Sequence, residues 1–351
     1  MKNLLRITIL LFSIFTTAQY TDVINSNRPG QSVSAYAVGK NVIQAEFGIG
    51  YEQQDHTILL TDSNIWSTEL ALRYGLLFET LEIYYEGTYQ KENILYSSTQ
   101  TEASITDFSR NRIGLKYLVY DPFKNPERNK PNLMSWKANH KFQWRNLLPA
   151  VSVYAGATFA LGDNPYYAGD AIVSPRVMIA TQSKLSPRVV FISNIAYDRI
   201  GTDFPEMSYI ISLTHAFRNP KWSIFLENQG IKSDRYADAL YRTGIAHLFA
   251  TNLQADITFG GSFKDTPTRM FGTLGLSYRF DMHQDKVIAI DEQKGGENGQ
   301  IGKKNMKKKS KKNKKGKGAE DIDLGPTKKQ LKKLKKEEKN KKSQDNGTID
   351  F

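Results

Sequence analysis

The feature that most constrains this chain is an alternation of apolar with polar or small residues, repeated about a dozen times between Val42 and Phe280. A period of two puts successive side chains on opposite faces of a strand, so each such segment needs an apolar environment on one side and a polar one on the other. In the first, Ile43, Ala45, Phe47, Ile49 and Tyr51 oppose Gln44, Glu46, Gly48, Gly50 and Glu52. The second sets Trp66, Thr68, Leu70, Leu72 and Tyr74 against Ser67, Glu69, Ala71 and Arg73. In the third, Leu81, Ile83, Tyr85 and Tyr89 oppose Glu82, Tyr84, Glu86, Thr88 and Gln90. Ile113, Leu115, Tyr117 and Val119 then oppose Arg112, Gly114 and Lys116, and Val151, Val153, Ala155, Ala157, Phe159 and Leu161 oppose Ser152, Tyr154, Gly156 and Thr158. Seven more candidates run near 172–183, 187–198, 207–217, 221–229, 238–249, 252–262 and 270–280. The count predicts twelve strands; 187–198 and 238–249 alternate least regularly, so ten or fourteen stay open.

Connections between these segments alternate in length. Leu76–Thr80, Lys184–Pro187, Arg218–Lys221 and Ala250–Asn252 are short, whereas 53–64, 91–106, 162–171, 199–206 and 230–237 are longer. That is the pattern of an all-β, transmembrane antiparallel up-and-down β-barrel with tight periplasmic turns and longer external loops, which places both termini in the periplasm. The 121–148 stretch, with Pro122, Pro126, Pro131, Trp136 and Trp144, breaks the pattern and reads as an ordered flap. A soluble β-sandwich or jelly roll also alternates. Strands of about ten residues ending in Tyr51, Trp66, Tyr74, Tyr89, Trp222 and Tyr278 favour the barrel, because aromatic girdles at the two membrane interfaces use such ends.

The amino terminus agrees with export. Lys2 and Arg6 precede the apolar run Ile7–Phe15 and the small residues Thr16, Thr17 and Ala18, the order of a cleavable signal peptide over 1–18. The run is shorter than the ~20 residues of a spanning helix. Residues 19–41 then form a polar periplasmic segment, 42–280 the barrel and 281–351 a basic tail. The expected place is the outer membrane of a Gram-negative cell, among its lipids. With no cysteine in 351 residues, disulfide scaffolds, thiolate nucleophiles and thiolate metal sites are excluded.

The last alternating segment, Thr273–Phe280, carries Gly275, Tyr278 and Phe280, spacing similar to the terminal-strand signal read by the barrel-insertion machinery. Several stretches in order carry a wider resemblance: Asn27-Arg28-Pro29-Gly30, Val38-Gly39-Lys40, Gln44-Ala45-Glu46-Phe47-Gly48, Leu72-Arg73-Tyr74-Gly75-Leu76 with Leu81-Glu82-Ile83, Ile113-Gly114-Leu115-Lys116-Tyr117, and Leu148-Pro149-Ala150-Val151. Over about 24–280 the chain resembles the outer-membrane barrels described as transporters of the putative MetA-pathway of phenol degradation, in a form typical of Bacteroidota. The resemblance implies a barrel, outer-membrane residence and transport; the phenol in the name is not carried over as a substrate. The basic tail is a departure from the family.

If the apolar faces meet lipid, the lumen is lined by Glu46, Glu69, Glu82, Glu86, Glu227 and Asp256 and by Arg73, Arg112, Lys116, Arg176, Arg242 and Arg279. Six acids against six bases do not form the one-sign ring of an ion-selective pore. They predict a lumen crossed by ion pairs, or one in which the pairs only satisfy each other. Twelve strands enclose more space than side chains fill in an eight-stranded barrel, so an obstruction is expected; 19–41 is either that plug or a simple tether.

Nothing indicates catalysis, a cofactor or a metal. None of His56, His140, His215, His247 and His283 sits in an HExxH spacing, and no GxSxG or Walker loop occurs. Ser212 near His215 is the one arrangement that resembles a barrel phospholipase. Between Lys303 and Lys342, nineteen lysines face five acids, 19 − 5 = +14, so this stretch holds the whole formal charge of +12. Such a block stays disordered. Behind a signal peptide and without stacking aromatics it does not bind nucleic acid, and its expected partners are peptidoglycan and other anionic surfaces. The function expected is a channel or transporter for small solutes, hydrophobic and aromatic ones included; the alternative is a structural envelope protein tethered through the tail.

Overall fold

The computed structural model describes residues 23–124, 133–135, 137 and 144–283. Twelve strands follow one another: β1 (Val42–His56), β2 (Thr61–Gly75), β3 (Leu81–Tyr96), β4 (Thr101–Tyr120), β5 (Ala150–Phe159), β6 (Val173–Ser186), β7 (Val189–Asp198), β8 (Glu206–Ala216), β9 (Trp222–Ser233), β10 (Ala237–Ala250), β11 (Leu253–Ser262) and β12 (Thr268–Asp281). Each pairs antiparallel with its sequence neighbours, and β12 pairs with β1 from Val42↔Asp281 to Asp55↔Thr268, closing the barrel. Closure leaves no edge strand with unpaired backbone groups, the condition for a sheet to sit in hydrocarbon.

The two faces differ as the alternation requires. Phe47, Ile49, Leu70, Leu72, Ile113, Leu115, Val177, Ile179, Ile211, Leu213, Leu274 and Leu276 all point outward and are exposed. Exposed aromatic residues flank this apolar belt: Tyr74, Tyr117, Phe217, Trp222, Phe249 and Phe280 at the end where β1 begins, and Tyr51, Trp66, Tyr89, Phe108, Tyr209 and Phe263 at the other. From Trp66 to Tyr74 is eight residues of β2, about 26 Å along the strand at ~3.3 Å per residue. Strand tilt shortens this somewhat, to the order of the ~25 Å band of outer-membrane barrels.

Three expected loops are corrected, one of them 230–237, of which only 234–236 lies between β9 and β10. The stretches 53–64 and 91–106 are mostly strand, since β1 runs to His56 and β2 starts at Thr61, β3 runs to Tyr96 and β4 starts at Thr101; only 57–60 and 97–100 are turns. Sequences such as Gln53-Gln54-Asp55-His56 are polar on both faces because they extend beyond the apolar belt, where lipid demands nothing of either face. One bulge also matters. Thr88 pairs with Arg110 but Tyr89 with Phe108, so Ser109 is an extra residue. It shifts the parity of β4, leaving Phe108 outside while Arg110 and Arg112 turn inward. The expected signal peptide, most of the flap and the expected disordered tail lie outside the described residues.

Candidate functional site

The lumen is not empty. Residues 23–41, which precede β1, run up inside the barrel and return, beginning with the Ile24 amide on the Thr251 carbonyl at 2.8 Å and ending with the Asn41 amide on the Gly75 carbonyl at 3.0 Å. This segment has no strand partner, and buried amides and carbonyls without partners cost free energy. Side chains from the wall supply them. Glu46 accepts from the Asn27 and Arg28 amides (3.1 and 3.3 Å), and Glu227 accepts from the Gln31 and Ser32 amides (both 3.1 Å). Asn194 both accepts from the Val33 amide at 2.7 Å and donates to its carbonyl at 2.8 Å. Val33 also packs with Tyr84, Tyr154, Met178 and Ala196 in the main apolar cluster of the interior.

Arg28 is the anchor. One lateral row of four registered residues crosses the closing joint: Glu69 on β2 opposes Gly48 on β1, Gly48 opposes Gly275 on β12, and Gly275 opposes Asp256 on β11. The Arg28 guanidinium lies over the two glycines and takes an acid on each side, Glu69 at 2.6 Å and Asp256 at 3.3 Å, with Thr273 Oγ1 accepting at 3.3 Å. A Cβ on Gly275 would stand 2.1 Å from Arg28 Nε, and one on Gly48 would stand 2.5 Å from Nη1. Neither position tolerates a side chain while Arg28 is seated. Gly275, expected as part of an insertion signal, thus faces the lumen, whereas Tyr278 and Phe280 face outward with their rings 4.5 Å apart.

Nearer the β1 start, Glu82 takes Arg73 (3.0 Å) and Lys116 (2.7 Å), all three side chains fully buried. The same cations clamp both limbs of the segment, Arg73 donating to the carbonyls of Asn25 and Tyr36 and Lys116 to those of Ser34 and Tyr36. The Tyr36 hydroxyl donates to Asp121 at 3.2 Å. Burial, with the Asp121 carboxylate beside it, pushes that hydroxyl's pKa well up, so it remains a donor. On the far wall, Asp198 takes Arg112 (2.7 Å) and Arg176 (2.8 Å), and Glu86 takes Arg110 (2.8 Å) and Arg112 (3.3 Å). Arg242 reaches Glu227 at 3.3 Å, and Arg279 reaches Asp281 at 3.2 Å and the Val23 carbonyl at 3.1 Å.

Of the twelve charged residues singled out in the sequence, Glu46, Glu82, Glu227, Asp256, Arg73, Lys116, Arg176 and Arg279 are buried and Glu69, Glu86, Arg112 and Arg242 half-buried on the polar face of the sheet. Arg28, Arg110, Asp198 and the outer pair Glu52–Arg269 (2.6 Å) were not among those twelve. Arg28 comes from irregular backbone, Arg110 is revealed by the bulge, and Asp198 ends a strand of weak alternation. Ser212 and His215, by contrast, do not meet: Ser212 is buried inside, while His215 is exposed on the outer face of β8. Among the described residues no group of three His, Asp or Glu is placed to hold a metal.

Two small cavities flank the segment. A cavity of about 130 Å³ lies on the outer side of Pro29 and Gln31, and one of about 40 Å³ lies on the inner side beside Asn27 and Glu46. Gln31, Glu69, Thr88 and Arg110 line both. The partition is a chain of hydrogen bonds in which Gln31 donates to Glu69 (3.3 Å) and accepts from Arg110 (2.8 Å), which is paired with Glu86.

Residues 26–280 match the profile of the family described as Putative MetA-pathway of phenol degradation. No curated protein matches the chain. Among solved structures, an outer membrane channel from Pseudomonas putida F1 aligns at 11% identity and a TM-score of 0.45, over 73% of this chain and 100% of that one. The NanC porin aligns at 9% identity and 0.43, over 67% and 98%, and the KdgM porin at 9% identity and 0.36, over 67% and 99%.

Proposed function

This chain belongs to the family described as Putative MetA-pathway of phenol degradation, and on that premise we propose that it is an outer-membrane channel for small solutes with no catalytic role. The observation that carries the reading is the way residues 23–41 are held. Between the backbone bonds of Ile24 and Asn41 at its ends, the segment binds the wall through side chains and stands outside the strand ladder. It can move without breaking any pairing between strands, whereas a packed core could not.

The ion pairs of the lumen bear on the solute. Charges neutralised in pairs offer no ring of one sign to drive ion selection, which suits small solutes with an apolar part, hydrophobic and aromatic ones among them. The family name does not fix which. Proteoliposome swelling with sugars, small aromatics and short fatty acids tests the reading. Entry of at least one class above protein-free vesicles is expected; folded protein, verified by heat-modifiable migration, that admits none of them overturns it.

A further inference from the structure

The outer cavity carries more than its size. Three arginines line it, Arg110, Arg242 and Arg269, against two acids, Glu52 and Glu69. Both acids are already engaged. Arg269 holds Glu52 through Nε (2.6 Å) and Nη2 (3.1 Å). Glu69 has one oxygen on Arg28 (2.6 Å) and the other on Gln31 (3.3 Å). Arg110 and Arg242 are each engaged through a single nitrogen. Every hydrogen bond and ion pair of either guanidinium among the described residues leaves from Nη1: Arg110 to Gln31 and Glu86, Arg242 to Glu227 and Gln229. A guanidinium has five donors in a planar fork, so donors are in surplus on this wall while both of its carboxylates are engaged.

The two arginines flank Gln31, whose amide nitrogen reaches Glu227 beside Arg242 and whose side-chain oxygen reaches Arg110. Beside them two apolar side chains, Phe271 and Ile65, stand among polar neighbours that include Ser67, Thr88, Gln90 and Thr258. The Arg242 guanidinium lies over the Phe271 ring at 5.2 Å, and Ile65 lines the same cavity. A cavity of ~150 Å³ holds benzene, so one of about 130 Å³ is of the size for a single ring or a short chain.

From these observations we propose that the outer cavity is a binding site for a small organic carboxylate, its oxygens taken by Arg110 and Arg242 and its apolar part laid against Phe271 and Ile65. Planar guanidinium groups and planar carboxylates match in two-point hydrogen bonding. The ring or chain is then desolvated against Phe271 and Ile65. The ligand would rest on Gln31, the side chain that forms the partition to the inner cavity. The site rests on the channel reading only for its use in transport; binding itself does not require flux.

Benzoate is the probe, measured by equilibrium dialysis against the full chain in detergent micelles, with acetate and benzyl alcohol as partial analogues and heat-modifiable migration as the folding control. Saturable benzoate binding is expected, with acetate and benzyl alcohol each at least an order of magnitude weaker. Arg110→Ala and Arg242→Ala should each abolish most of it, Arg242→Lys should keep part, and Phe271→Ala should weaken benzoate more than acetate. Benzyl alcohol equal to benzoate, or full binding in folded Arg110→Ala and Arg242→Ala proteins, overturns the proposal. The same proteins in liposomes separate the two readings. Binding without flux leaves the site standing and the channel fallen, while flux without benzoate binding does the reverse.

Discussion

Arg28 holds its segment by a contact that has no substitute nearby. Its side chain is 7% accessible and Asp256's is fully buried, and removing one partner of a buried pair costs about 3 kcal/mol, because the other charge is left uncompensated. Arg28→Ala should therefore raise the open population of residues 23–41 by roughly two orders of magnitude, at 1.4 kcal/mol per tenfold. Amide exchange at Ser32 and Val33 reads this directly. Guanidinium ion, far below denaturing concentration, should restore protection in the variant by refilling the trough over Gly48 and Gly275, and urea, neutral and of similar shape, should not. Equal protection in wild type and variant would remove Arg28 as the anchor. Tyr36 adds a pH dependence. Its folded pKa is raised by burial and by Asp121, so the folded protein keeps the proton above the ~10 at which the unfolded side chain loses it. The folded state thus binds more protons in that range, and stability falls as pH rises above ~10 while it is fully present below. Segment protection should be flat through neutral pH and decline in alkali, and Tyr36→Phe should flatten the decline.

Between the strands, the outer loop of β5 and β6 braces the bulge that aims Arg110. Tyr167 donates to the Ser109 carbonyl at 2.6 Å and Asn164 to the Phe108 carbonyl at 2.7 Å. Asn164 also accepts from the Tyr166 amide at 2.9 Å, so at about 1 kcal/mol for each of three neutral bonds the double variant Tyr167→Phe, Asn164→Ala should speed amide exchange in 160–172 roughly a hundredfold, with β1–β3 unchanged; an unaltered loop would mean that it is held elsewhere. What the sequence alone reveals differs by element. The apolar belt sets parity, so strands such as β2 and the inward places of Glu69 and Arg73 are legible from period two alone. Gln53–His56 and Asn93–Tyr96 are not, because beyond the belt neither face is selected for apolarity. Nor is the course of residues 23–41, whose irregular backbone has no period. The bulge at Ser109 and the strand-end position of Asp198 hide two charges in the same way. The one sequence-level hint of Arg28 was the inward Asp256, with no base opposite it on either neighbouring strand.

For the whole molecule, the decisive property is a lipid-facing belt that ends. Leu70 lies midway between Trp66 and Tyr74 on the outer face of β2, while Asn64 lies beyond Trp66. An arginine at the bilayer midplane of a barrel costs about 2–4 kcal/mol, falling to ~0–1 near the interface. Leu70→Arg should therefore lower folding stability in lipid vesicles by that larger amount, and Asn64→Arg should change it little, as read from reversible urea titration. Equal costs would mean that the belt is not where the barrel meets lipid.

The row Glu69–Gly48–Gly275–Asp256 also bears on assembly. The joint of β1 with β12 brings together Val42 and Asp281, the two ends of the barrel chain, and pairing across so long a separation is reached late. Arg28 precedes both strands, and half of its cradle, Gly48 with Glu69, exists as soon as β1 meets β2. A chain at that stage carries a cation on the rim of β1 that seeks the missing half. A slip of two residues would set Ser277 or Thr273, rather than Gly275, against Gly48, and either side chain would collide with the guanidinium. With Arg28 seated before the joint closes, the segment would admit β12 in one register and reject its neighbours. Arg28→Ala chains should accordingly take longer to reach the heat-modifiable form.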